Sequence, residues 1–280
     1  MDPLVIVLIV AGAASAFCWI ASLLTNDTSW VDRLWSIVPV VYVWIFAIAA
    51  IIDGRDASRL VVMAVLVTAW GARLTFNFAR KGGYTGMEDY RWAILRGRMS
   101  PAMFQVFNLL FIVVYQMALL VLITLPAQIA WQHPAPFTVW DAAFAVLFAA
   151  LLAGEFLADQ QQWEFHRRKR EAGGVLEPGF LTTGLFAYSR HPNFFFEQAQ
   201  WWVFYALGAS AAVASGLGLW GGALNWTILG AALLTLLFIG STIFTESISA
   251  AKYPAYADYQ RTTSMLIPLP RRRSRAERTA

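Results

Sequence analysis

From Met103 to Ala130 the chain carries no charged residue. A helix rises 1.5 Å per residue, so about 20 apolar residues cross a hydrocarbon core of about 30 Å. Seven stretches meet that need: roughly 3–24, 34–52, 59–79, 103–126, 137–159, 193–214 and 226–246. In lipid the backbone must satisfy its own hydrogen bonds, so each stretch is predicted as a helix. The predicted fold class is all-α, an integral membrane bundle of seven transmembrane helices. Composition agrees: only 14% of residues are charged, against about a quarter in a soluble domain. The net charge of +4 resides largely in loops and in the tail RRRSRAER, which argues against nucleic-acid binding.

Sidedness follows from Lys and Arg in the short loops. The 80–102 loop holds Arg80, Lys81, Arg91, Arg96 and Arg98, and the 160–192 loop holds Arg167, Arg168, Lys169, Arg170 and Arg190. The 127–136 and 215–225 loops have none. Seven spans then put the N-terminus outside and the C-terminus in the cytoplasm. The first apolar run lacks the positive n-region of a signal peptide and is long enough to span, so it is read as an uncleaved helix. Residues 1–270 are expected to form a single membrane domain and 271–280 a basic cytoplasmic tail. The lone cysteine, Cys18, excludes an internal disulfide, and the three histidines show no metal-ligand spacing. The run GLGLWG (216–221) matches a dinucleotide fingerprint, but it lies in an outer loop with no strand before it or helix after it to give the pattern meaning.

The most informative stretch is GLFAYSRHPNFFFE, 184–197. Pro192 suits the first turn of a helix, whose N-terminal dipole and free N–H groups beside Arg190 and His191 would suit a phosphate. Asn193 and Glu197 are four apart and share a face. Glu197 lies about one turn inside an apolar segment, where a carboxylate is a candidate for function. Other polar residues cluster at the same predicted membrane face. Arg73 and Asn77 are four apart on the third helix; Glu155, Asp159, Gln162 and His166 follow one face of the fifth; Glu246 ends the seventh; Asp32 begins the second. Any one pair is explained by a helix–helix hydrogen bond or ion pair. Together they predict a polar chamber open to the cytoplasm with a cationic rim that includes Lys81, Arg167 and Arg190. The tail segment KYPAYADYQR, with Tyr253 and Tyr259, is predicted as an interfacial helix.

The segments EFLADQQQWEF (155–165), LTTGLFAYSRHPNFFFEQAQWW (181–202) and KYPAYADYQRTTSMLIP (252–268) resemble the C-terminal domain of steroid 5α-reductases and the broader bacterial DUF1295 group. RKGGYTGMEDYRW (80–92) is similar to the bacterial group. That resemblance implies a membrane reductase in a bacterial inner membrane, its site open to the cytoplasm. NADPH would pass hydride to the C=C of an α,β-unsaturated ketone lipid, of which a 3-oxo-Δ4 steroid is the type. Asp159, Asn193 and Glu197 match the residues that hold nicotinamide and ribose, and basic loop residues would hold the phosphates. The expected cofactor set is Arg73, Asn77, Lys81, Glu155, Asp159, His166, Arg167, Arg190, His191, Asn193, Glu197, Glu246, Tyr253 and Tyr259. Aligning VDRLWSIVP places Asp32 at the family's substrate-polarising carboxylate. The family's helix-three tyrosine has no counterpart in AWGARL, where Trp70 stands near that place, so Tyr84 and Tyr90 are the candidates to supply the hydroxyl. The expected partners are this hydrophobic enone and membrane lipid, with no obligate protein partner.

The Arg-His-Pro element is also shared by isoprenylcysteine-type methyltransferases, so an S-adenosylmethionine-dependent methyltransferase is the rival enzyme class. That cofactor has no phosphate and would leave much of the cationic rim without a partner. A non-enzymatic lipid-binding protein is the third reading, and in it Asn193 and Glu197 are dispensable.

Overall fold

The computed structural model describes residues 1–86 and 88–272. Among them all regular structure is helical, apart from isolated bridges such as Ser189 to Ser264. Of the expected basic tail, residues 273–280 lie outside the described residues. Six helical segments are long and apolar enough to cross a membrane: Pro3–Thr25, Trp30–Ile52, Ser58–Arg80, Pro101–Thr124, Val139–Glu171 and Ile228–Lys252. A further long helix, Pro192–Ala214, occupies the remaining predicted span but is not among the six. Asn193, Glu197, Gln198 and Gln200 dilute the apolar character of its first half.

Packing divides the chain into two compact units, one of Met1–Val146 with Trp202–Leu233, the other of Leu147–Trp201 with the chain from Leu234 onward. In the first, α1 (Pro3–Thr25) starts on Asp2, whose carboxylate accepts from Leu4 N at 2.8 Å, with Pro3 at the first helical position. The predicted span 34–52 is broken. Helix α2 (Trp30–Trp35) stops at Ser36 and Ile37, and α3 (Val38–Ile52) restarts with Pro39 in its first turn. Helix α3 is the hub, packing on α1, α4 (Ser58–Arg80), α7 (Gln116–Thr124) and α8 (Pro126–Gln132). Gly71 lets α4 close on the break: a Cβ there would sit 2.5 Å from the Ser36 carbonyl oxygen and 2.7 Å from Val40. Between lipid-embedded helices, close packing of small residues replaces much of the hydrophobic drive available in water.

The loops of this unit meet in two groups, at opposite ends of α4. At its N-terminal end Arg59 grips Asp141 through two bonds of 2.9 and 2.8 Å and donates to the Ala135 and Pro136 carbonyls. Both side chains are almost fully buried, and Asp141 also accepts from Thr138 N at 2.7 Å. Arg55 donates to the Trp131 carbonyl nearby. These are the loops that charge bias assigns to a common side. At the other end of α4 the 26–33 and 80–92 segments interlock. The 80–102 region, expected as loop, contains α5 (Tyr90–Arg98). The fourth span is also irregular: α6 (Pro101–Phe107) passes into a π-helix, Asn108–Tyr115, before α7.

Helix α9 (Val139–Glu171), which belongs to the second unit from Leu147 onward, continues to Glu171, where sequence placed a loop from residue 160. At about 50 Å it exceeds the hydrocarbon core, so its basic end stands clear of the apolar layer. Helix α10 (Pro192–Ala214) follows a 3₁₀ turn, Gly184–Ala187, and α11 (Ile228–Lys252) leads to α12 (Tyr256–Thr262). The last, in the segment expected to form an interfacial helix, buries Tyr256 and Tyr259.

Candidate functional site

The Arg-His-Pro element does not stand open in the second unit. The Arg190 guanidinium meets Glu246 twice, at 2.6 and 2.9 Å, and its remaining terminal nitrogen donates to the Gln260 and Thr263 carbonyls at 3.0 and 2.5 Å. His191 Nε2 lies 3.0 Å from the same Glu246, and Gln260 Nε2 donates to it at 2.9 Å. The backbone joins in: Arg190 N and His191 N donate to the Ser264 and Met265 carbonyls, and Ser189 Oγ to that of Leu266. Arg190, expected to seat a phosphate, is therefore committed to Glu246 and the tail carbonyls, with its side chain 8% exposed. Bidentate guanidinium–carboxylate pairing of this kind fixes geometry as well as charge. It pins α10's start to the end of α11 and to the segment after α12. The sequence suggested each residue; that Glu246 is the shared anchor of Arg190 and His191 it did not show.

The tail tyrosines pack around Phe180, whose ring lies 5.8 Å from Tyr253, 4.9 Å from Tyr256 and 5.4 Å from Tyr259. Tyr259 donates to the Phe186 carbonyl at 2.5 Å, and burial raises its phenol above the usual tyrosine range. Tyr253 accepts from Lys169 Nζ at 2.9 Å, while that ammonium also donates to the Gly179 carbonyl. The Lys169 bond holds the Tyr253 phenol below its ordinary value. Gly179 has φ +93°, and a Cβ on it would strike the Tyr253 ring, so both the turn and the contact require glycine.

Buried acids gather in the same unit. Glu155, Asp159 and Glu197 are all less than 10% exposed. Gln200 Nε2 donates to Glu155 at 2.6 Å, and Trp201 Nε1 donates to Glu197 at 3.0 Å. Carboxylates in an apolar layer need such donors to remain there. Asn193 is half-buried one turn before Glu197. Further along α9, His166 and Arg167 are exposed, and Arg167 pairs with Glu164 at 2.7 Å. The face Glu155–Asp159–Gln162–His166 thus runs from buried to open.

In the first unit Arg73 and Asn77 are buried on α4, and Lys81 is exposed just past its end. Asp32 is half-buried on α2 and accepts from Trp92 Nε1 at 3.0 Å. Tyr84 reaches the same neighbourhood but donates to the Arg33 carbonyl at 3.1 Å, its ring edge-on to Phe78. Tyr90 begins α5 and is 53% exposed. Asp32 and Tyr84 thus share one loop cluster. Trp92, which sequence reasoning passed over, is a side chain that donates to that carboxylate. Two latches close the cluster. Arg33 bonds Asp27 at 2.6 Å and the Gly83 carbonyl at 3.0 Å. Glu88 takes Thr28 N at 2.9 Å, the Thr28 hydroxyl at 2.8 Å and both terminal nitrogens of Arg96. Burial pushes the Glu88 carboxyl up, but the Arg96 and Thr28 bonds outweigh it and hold the group below the usual carboxylate range. Away from these polar clusters, an apolar groove of about 530 Å³ runs along α1 and α7 past Trp226. It offers area but no chemistry.

Comparison with known proteins adds the family. An uncharacterized protein of Schizosaccharomyces pombe is 37% identical over 283 aligned residues, spanning 95% of this chain and 80% of the relative. No solved structure matches. Residues 18–263 match the family described as a protein of unknown function, DUF1295. A match over that length takes in both loop clusters and the Arg190–Glu246 clasp, and the chain belongs to the DUF1295 family.

Proposed function

We propose that this protein is a membrane-embedded, NADPH-dependent reductase that transfers hydride to the C=C of an α,β-unsaturated ketone lipid. The observation that carries the reading is the set of buried carboxylates Glu155, Asp159 and Glu197 in the unit that also contains the reductase-like segments. Oriented acids there suit the hydroxyl and amide groups of a nicotinamide riboside. Asp159, Asn193 and Glu197 would hold that part, with Glu155, His166, Tyr253 and Tyr259 lining the cofactor's course. Arg190, His191 and Glu246 act as positioning residues, because their hydrogen-bonding groups are engaged with each other and with the tail. Arg167, at the exposed basic end of α9, is the cation assigned to the phosphates in this reading. NADPH when bound supplies the hydride. The protein must orient the enone, exclude water and stabilise oxygen charge as it develops. Asp32 with Trp92 is the assigned polarising group, and Tyr84 is the assigned hydroxyl of the same loop cluster. The basic loops face the cytoplasm, and so does the cofactor's entrance.

The experiment is thermal unfolding of the detergent-solubilised protein with NADPH, NADH or S-adenosylmethionine, beside the Asn193→Ala/Glu197→Ala double variant. A ligand that binds the folded state alone raises the midpoint by mass action, by about 2.7 kcal/mol of stability at one hundred times its Kd. A rise with NADPH that the variant loses is the expected result. A rise with S-adenosylmethionine alone transfers the assignment to a methyltransferase. No rise with any of the three favours a non-enzymatic lipid-binding protein.

A further inference from the structure

Lys169 and Lys252 converge on one phenol. Lys169 Nζ donates to Tyr253 Oη at 2.9 Å and stands 5.0 Å from the ring centroid, and Lys252 Nζ stands 5.4 Å from the same centroid. Tyr253 and Lys169 are half-buried and Lys252 is exposed, so a solute can reach the group. Nearby cations have acids: Arg167 and Arg168 share Glu164, Arg190 has Glu246 and Arg261 has Asp258. Lys169 and Lys252 have no carboxylate partner among the described residues. Two ammoniums at one neutral ring repel each other with nothing of opposite charge between them. The phenol registers that surplus: the Lys169 bond above all, with Lys252 adding to it, holds Tyr253 below its ordinary value.

Lys169 also continues the polar stripe of α9. Counting from Glu155, the residues Asp159, Gln162, His166 and Lys169 follow at 4, 7, 11 and 14 positions. At about 100° per residue all five fall within a band of about 80°. The stripe therefore runs from buried acids, past the exposed His166, to an ammonium. Lys169 lies ten residues beyond Asp159, about 15 Å along the helix axis. An extended dinucleotide separates its nicotinamide riboside from its adenosine ribose by a comparable distance. The far end is also firmly held. Lys169 donates to the Gly179 carbonyl at 2.8 Å, and the Phe180 ring packs on Tyr253. Those two bonds leave Lys169 one N–H of its three for a ligand.

We infer that Lys169 and Lys252, set about the Tyr253 ring, form a site for a phosphate monoester, and that its occupant is the 2′-phosphate on the adenosine ribose of NADPH. The inference rests on the reductase reading for the rest of the cofactor. A phosphate monoester carries about −1.5 to −2 charges at pH 7, enough to balance both ammoniums. The 2′-hydroxyl of NADH brings none. An ammonium binds phosphate as a point charge and needs no planar partner, which suits two lysines approaching from different helices. Each contact is worth about tenfold in affinity at a partly exposed site. The pair selects NADPH over NADH, and the phosphates of the diphosphate bridge remain with Arg167.

The test is isothermal titration calorimetry of the full-length protein in phospholipid-free detergent with adenosine 2′,5′-bisphosphate and with 5′-AMP, which differ by that one phosphate. Wild type is expected to prefer the bisphosphate at least about tenfold. Lys252→Met, at an exposed position, should weaken the bisphosphate about tenfold and 5′-AMP less than about twofold, while Lys252→Arg, which keeps the charge, retains the preference. Lys169→Met should have the same selective effect. No binding of either nucleotide, no preference in wild type, or a preference that survives both methionine variants overturns the site. Phosphatidic acid, titrated in the same way, represents the other source of a phosphate monoester. Tighter binding of that lipid than of the bisphosphate, lost in the same variants, overturns the nucleotide occupant and makes the pair a lipid contact. Enone-dependent oxidation of NADPH and NADH is measured separately. Oxidation of both at equal kcat/KM sinks the site alone, and bisphosphate preference without oxidation of either sinks the reductase reading alone.

Discussion

Glu246→Gln keeps the size of the side chain and removes the charge that anchors Arg190. In the native unit the carboxylate takes two bonds from Arg190, one from Gln260 and a 3.0 Å contact from His191, with Tyr256 at 3.4 Å. Both ion-pair side chains are under 10% exposed, so water cannot replace the lost charge. Stranding one member of a buried pair costs about 3–5 kcal/mol. The bonds of Arg190 to the Gln260 and Thr263 carbonyls survive the substitution, so the lower figure, about 3 kcal/mol, is appropriate. The loss should be local to the tail clasp. Amides that close it, Arg190 N to Ser264 O and Leu269 N to Tyr188 O, then exchange with solvent about a hundredfold faster. Hydrogen–deuterium exchange with peptide-level mass spectrometry reads this directly. Amides inside α3 serve as the internal control and should not change. Acceleration of less than threefold at the clasp refutes the reasoning, because it would mean that Phe180 and its tyrosines hold the tail without the ion pair.

Three further outcomes follow from the same physics. Arg59→Met should lower thermal stability by about 3–5 kcal/mol by stranding Asp141, and the Arg59→Met/Asp141→Leu double variant should recover most of that loss, since an apolar replacement of a buried pair is often neutral; thermal unfolding of the three proteins checks it. Gly71→Ala should destabilise by about 1–3 kcal/mol, because the new methyl meets the Ser36 carbonyl and Val40, and the unfolding midpoint must fall. Glu88 has a folded-state value below its ordinary 4.5, so its contribution is complete above that pH and disappears as pH falls through the lowered value; an acid titration of stability should show a limb below about pH 4.5 that Glu88→Gln flattens.

The long helices were legible because a bilayer imposes one simple demand, an apolar run of sufficient length whose backbone bonds itself. Boundaries for α1, α4 and α10 follow Pro3, Arg80 and Pro192 closely. The polar residues of interest were legible too, since a Glu or Asn inside an apolar run is conspicuous in any sequence. Pairing was not. Arg190 and Glu246 stand 56 residues apart, and nothing local to either shows which acid takes which cation. Composition equally fails to show that α9 runs through its polar end to Glu171, because helical propensity carries it where hydropathy stops. The break at Ser36–Ile37 and the π-helix at 108–115 lie in runs of uniform hydrophobicity, where periodicity has no contrast to report. Sequence by itself determined that this chain lives in a membrane as helices and which residues are chemically unusual there. Only the tertiary structure decided that Arg190 is an anchor and that Trp92 is a partner of Asp32. Each depends on contacts between segments that the chain order does not encode, which only packing brings within reach.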